Sequence, residues 1–118
     1  MSKKINVIVS KIADGGLITN YKAEVGDYTD YYKLGEFSCF DVVRVDWNGM
    51  DISLFVDDGG MMKSGNFGRM VEGYPQPLFG NIIITGGTDE EGNTLSVPDT
   101  LTVVQVMDMI GNIAYQVK

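Results

Sequence analysis

The sequence predicts an α+β domain, a mostly antiparallel sheet of five or six strands with two short helices. Three observations predict it. Runs rich in β-branched residues recur at 5–9, 40–56 and 82–85. An Asn48-Gly49 pair interrupts the second run, and this dipeptide is the strongest short signal for a hairpin. Residues suited to helix capping precede helix-compatible stretches at 27–35 and 99–110. With 118 residues, 44% of them hydrophobic, residues 1–118 read as a single domain with a real core.

The elements follow in order. Residues 5–9 form a first strand, and Asp14-Gly15-Gly16 turns the chain into a weaker second strand over 17–25 that pairs back on it. Asp27 or Thr29 can cap a short helix that stops at Gly35. The hairpin comprises 40–47 and 50–56. Its return strand places Ile52, Leu54 and Val56 on the core face. Residues 61–80 hold four Gly and two Pro and read as a long irregular segment, a length often associated with function. The strand at 82–85 and residues 94–97 suggest a second hairpin around an acidic turn, 89–93. Asp99 or Thr100 can then cap a helix to Ile110, with Leu101, Val104, Met107 and Ile110 as its apolar stripe and Gly111-Asn112 as its stop. The β-branched run 102–104 leaves a strand open there. Residues 113–117 could add a last strand. Helices on one face would cover the apolar side of the hairpin.

Composition excludes much chemistry. The chain contains no His, which removes Ser-His-Asp and Cys-His catalysis and His-liganded zinc. One cysteine permits neither an internal disulfide nor a thiolate cluster. Cys39 is expected to be a small core residue in a reducing compartment. Residues 1–22 carry a charge of +3 and the remainder −10, for a net −7. That balance argues against nucleic acid as a partner. The early lysines fit the solvent face and edge of the first strand. No apolar run reaches the roughly 20 residues of a spanning helix or forms a secretory signal, so no membrane partner is expected. Neither acidic turn, 57–58 nor 89–91, has the oxygen order of a calcium loop. No catalytic residue, cofactor or metal is therefore expected.

Two groups of residues remain as binding candidates. In the Gly-rich segment 59–80, Asn66 and Arg69 could hold a small anionic ligand such as a nucleotide beside main-chain donors. Alternatively, Arg69 pins the segment to a strand carboxylate such as Asp57 or Asp58. Tyr28, Tyr31 and Tyr32 cluster among acids and could anchor a protein partner or pack over the sheet.

The series Cys39-Phe40-Asp41-Val42-Val43-Arg44-Val45, Asn48-Gly49, Phe55-Val56-Asp57-Asp58-Gly59-Gly60 and Met62-Lys63 resembles a family of small bacterial and phage proteins. So does the later run Phe79-Gly80-Asn81-Ile82-Ile83-Ile84, followed by Asp89-Glu90-Glu91-Gly92-Asn93-Thr94-Leu95-Ser96. The resemblance is to the domain-of-unknown-function 3846 family and covers about residues 37–100. In that family Asn and Arg are often adjacent; here Phe67-Gly68 separates them. The resemblance implies an accessory protein of a phage or mobile element, acting in the host bacterial cytoplasm. The expected function is a non-catalytic module that binds and modulates a host protein, with counter-defence as one such role. Sequestration of a small molecule or nucleotide is the alternative. Self-association through the hairpin or last strand stays open.

Overall fold

Antiparallel pairing between sequence neighbours organises the chain from its first hairpin onward. The computed structural model describes residues 4–13, 15–37, 39–58 and 66–116. In chain order the described elements are β1 (Ile5–Ile12), β2 (Ile18–Val25), α1 (Tyr28–Gly35), β3 (Phe40–Trp47), β4 (Met50–Asp57), β5 (Phe67–Val71), β6 (Leu78–Phe79), β7 (Ile82–Gly86), α2 (Val103–Met109) and β8 (Ile110–Gln116). They build a five-stranded sheet, β2-β1-β7-β4-β3, and a three-stranded sheet, β6-β5-β8. Every pairing between these strands is antiparallel. The chain is an α+β domain with two short helices.

The β3–β4 hairpin forms where Asn48-Gly49 places it. Both turn residues are left-handed, with φ of 56° and 84°, and this conformation matches the twist of the flanking strands. Ile52, Leu54 and Val56 face one core as expected, but Phe55 on the opposite face is also buried. The central sheet is therefore covered on both sides. On one face Ile8, Ile52, Leu54, Ile82 and Ile84 pack under the second sheet and α2. On the other, Val7, Val9, Phe55 and Ile83 pack under α1. The consecutive isoleucines of β7 belong at the centre because both of their faces are buried. The two helices thus lie on opposite faces, not on one.

α1 starts at the predicted cap. Asp27 accepts from the Thr29 N–H at 2.9 Å, and Asp30 reaches back to the Asp27 N–H at 3.4 Å, closing a capping box. Glu36, not Gly35, takes the left-handed position after the helix. Gly35 is required for space, because a Cβ there would lie 2.2 Å from the Phe37 ring. Asn81 ties this helix to the sheet, donating to Gly35 O and accepting from the Ile12 N–H, both at 2.8 Å.

The second helix starts later than the sequence suggests. Thr102, rather than Asp99 or Thr100, caps it by accepting from the Gln105 N–H at 3.2 Å. Half of the predicted stripe holds: Leu101 and Ile110, which flank the helix, are buried, but within it Val106 is buried while Val104 is 69% and Met107 59% exposed. Counting in threes drifts around a helix of 3.6 residues per turn. Ile110 leads directly into β8, so Gly111-Asn112 acts as no stop.

Other expectations also change. The described part of the supposed irregular segment contains β5 and β6; residues 59–65 lie outside the described residues. β1 is an interior strand, and the sheet edge falls on β2. Residues 94–97 form no strand, and the turn before them closes with a single Thr88–Thr94 bridge. Cys39 is exposed, because it lies just before β3 begins. Among the described residues, no helix is long and apolar enough to cross a membrane.

Candidate functional site

The residues singled out from sequence are dispersed over three places. Arg69 points between the two sheets and is only 1% exposed. Its guanidinium donates to Ser10 Oγ at 2.7 Å, Ser10 O at 3.2 Å and Gly80 O at 3.1 Å. It does brace its segment, but against neutral oxygens rather than Asp57 or Asp58. All three acceptors are uncharged, and Nε meets no acceptor among the described residues. Burial lowers its pKa to about 10. Asn66 lies beside Gly80, and its side-chain oxygen accepts from the Phe67 N–H at 3.1 Å.

Asp57 and Asp58 stand at the end of β4. With Asp41, Tyr74 and Gln76 they line a depression of about 150 Å³. This is below the roughly 300–1,000 Å³ of ordinary ligand pockets. No group of three or more potential metal ligands converges among the described residues.

The tyrosines divide by helix face. Tyr31 is buried and stacks on Phe55 at 4.2 Å between ring centroids, nearly parallel at 13°. Tyr32 is half-buried and meets Phe40 at 5.0 Å. Tyr28 is 66% exposed. Helical geometry explains the split: 28 and 32 are four residues apart and edge-to-face at 6.5 Å, while 31 turns toward the sheet.

Tyr28 and Tyr31 line an open cleft of about 1090 Å³. The cleft arises from a divergence in the sheet. β1 and β7 pair only from Ile8–Ile84 to Ser10–Ile82 and then separate. The chain beyond the acidic turn fills the gap. Val97 N–H donates to Asn6 O at 2.9 Å, and Asn6 N–H donates to Ser96 Oγ at 3.0 Å. On its other side Gly86 N–H donates to Leu95 O at 3.0 Å. The approach is so close that a Cβ on Gly86 would lie 2.3 Å from Ser96 O. The start of α1 forms one wall of the cleft and residues 89–99 another, with Ile5, Val25 and Phe55 between.

The charged groups lining this cleft are Lys4, Asp27, Asp89 and Asp99. Asp89 Oδ1 accepts from Glu91 N–H at 2.9 Å and Asn93 N–H at 2.8 Å, and these bonds fix the turn. Hydrogen bonding from Asn93 lowers the Asp89 pKa, and bonding from Thr29 lowers that of Asp27. Both therefore stay ionised well into acid. The helix N-terminus offers little to an anion, because Asp27 and Asp30 already occupy the Thr29 and Gly26 amides.

Residues 8–111 match the model of a family described as Domain of unknown function (DUF3846). The chain belongs to this family. No curated protein and no solved structure matches it. Of the cleft residues, Lys4 and Ile5 precede the matched DUF3846 span, whereas α1 and residues 89–99 fall inside it.

Sequence reasoning found Tyr28 but missed the opposite wall. In the sequence the Asp89-to-Asn93 turn shows only as an acidic turn without a calcium-loop pattern. The missing information was that the following segment inserts between two strands distant in sequence, a placement no local pattern encodes.

Proposed function

We propose that this DUF3846 protein is a small non-catalytic binding module, an accessory protein of a phage or mobile element that binds and modulates a host protein in the bacterial cytoplasm. Its contact face, on this reading, is the cleft between α1 and residues 89–99. The observation that carries it is a cleft of about 1090 Å³ with the exposed Tyr28 on one wall and the exposed Leu95 on the other. Tyrosine is a frequent interface anchor because it offers large contact area with few torsions to freeze. The anionic-ligand reading is less favoured: Arg69 would have to abandon Ser10 and Gly80 to meet a ligand at the surface.

Immobilised protein should capture a specific partner from bacterial lysate. Tyr28→Ala should reduce that capture about tenfold or more, the effect of losing an interface anchor. Val104→Ala, on the solvent face of α2, should leave it unchanged. Equal capture by the parent and Tyr28→Ala proteins, or no specific capture by folded protein, overturns the proposal.

A further inference from the structure

We infer that the occupant of this cleft is a basic, extended peptide segment of the partner, with alternating apolar and Lys or Arg side chains. The inference rests on the cleft being the contact face and adds the chemistry of what enters it. Size narrows the occupant first. At about 1090 Å³ the cleft stands at the upper end of the roughly 300–1,000 Å³ of ligand pockets, and it is open along the surface, which suits a chain passing through.

Charge narrows it next. The described lining sets three carboxylates, on Asp27, Asp89 and Asp99, against the single ammonium of Lys4. The +3 of residues 1–22 aside, the rest of the chain carries −10, so the wider field has the same sign. The amides that could have favoured an anion are taken: Gly26 and Thr29 N–H groups are bonded to Asp30 and Asp27, and Glu91 and Asn93 N–H groups to Asp89. Phosphates and acidic peptides would thus meet net repulsion, with Lys4 the one described cation in the lining to offset it.

The apolar lining explains why the ligand is more than a cation. Ile5, Val25, Leu95, Val97 and Pro98 lie among the acids. A segment alternating apolar and basic side chains satisfies both sets, since successive side chains of an extended chain point to opposite sides. The exposed Tyr28 ring adds a surface for a guanidinium or ammonium.

The test is a titration of the full chain, followed by amide NMR, with a short capped peptide alternating leucine and lysine. Its glutamine and glutamate counterparts serve as comparisons. The lysine peptide should shift the amides of Tyr28, Asn93 and Leu95 and weaken in about 0.5 M salt. Asp99→Lys should weaken it at least about threefold and Lys4→Glu should tighten it, opposite signs that reflect charge rather than lost folding. If the glutamine or glutamate peptide shifts the same amides equally well, the basic-ligand inference fails while the cleft remains a contact face. If the lysine peptide leaves these amides unmoved, the inference also fails. The capture experiment with Tyr28→Ala then decides separately whether the cleft binds a protein at all.

Discussion

The two faces of the five-stranded sheet are covered by different means. Under α1 the cover is aromatic: Tyr31, Phe40 and Phe55 meet one another at centroid distances of 4.2–5.9 Å. Under the second sheet it is mainly aliphatic, joined by one buried guanidinium and by Trp47, whose Nε1 donates to Glu72 O at 2.8 Å. The aromatic face gains area and ring contacts, and the polar group it desolvates is the neutral Tyr31 hydroxyl. The sheet-on-sheet face desolvates a cation and compensates it only with neutral acceptors. The helix is tied at its end by the neutral Asn81 side chain, whereas the second sheet is tied through a buried cation by hydrogen bonds that span Ser10, Arg69 and Gly80.

The largest expected effect lies on the aromatic face. Phe55→Ala should cost about 3–5 kcal/mol in urea unfolding, the range for truncating a buried Phe. A cost near 1 kcal/mol would mean that the Tyr31 stack contributes little.

Arg69 sharpens the contrast. Arg69→Ala leaves a void and buried oxygens on Ser10 and Gly80 without their donor, and should destabilise by about 3 kcal/mol. Arg69→Met refills the space and removes a buried charge that meets only neutral acceptors among the described residues, so its cost should be clearly smaller in the same assay. Equal costs would show that the hydrogen bonds, rather than volume and charge, dominate the junction.

The smallest effect appears in alkali. Burial raises the Tyr31 pKa to about 12, against 10 for an ordinary tyrosine. A raised folded pKa gives stability that is complete below pH 10 and lost as pH rises toward 12. Arg69 acts in the opposite sense above pH 10, because its lowered pKa lets the folded state release a proton first. Tyr31→Phe should therefore remove the alkaline loss on one face and leave unfolding more resistant between pH 10 and 12 than in the parent. An unchanged pH profile would show that the ring oxygen is not desolvated.

What the residues disclosed was local. Asn48-Gly49 fixed the hairpin through turn geometry, and Asp27 marked the first helix through its short acceptor side chain. Of the second sheet only its last strand was anticipated, at 113–117; its pairing was illegible because β5 pairs with β8, whose residues come about forty positions later. Gly68 and Arg69 look like loop residues. Yet Gly68 is there because a Cβ would strike the Phe79 ring at 2.7 Å, and Arg69 because it spans two sheets. The candidate cleft was half-readable for the same reason: Tyr28 sits on a predictable helix, while its opposite wall depends on a long-range insertion.

Trp47 gives the protein an intrinsic spectroscopic reporter. It is the sole indole, fully buried, and hydrogen-bonded across the junction of the layers. A red shift of its emission would register the two layers coming apart, without any dye, even while far-ultraviolet dichroism stayed constant.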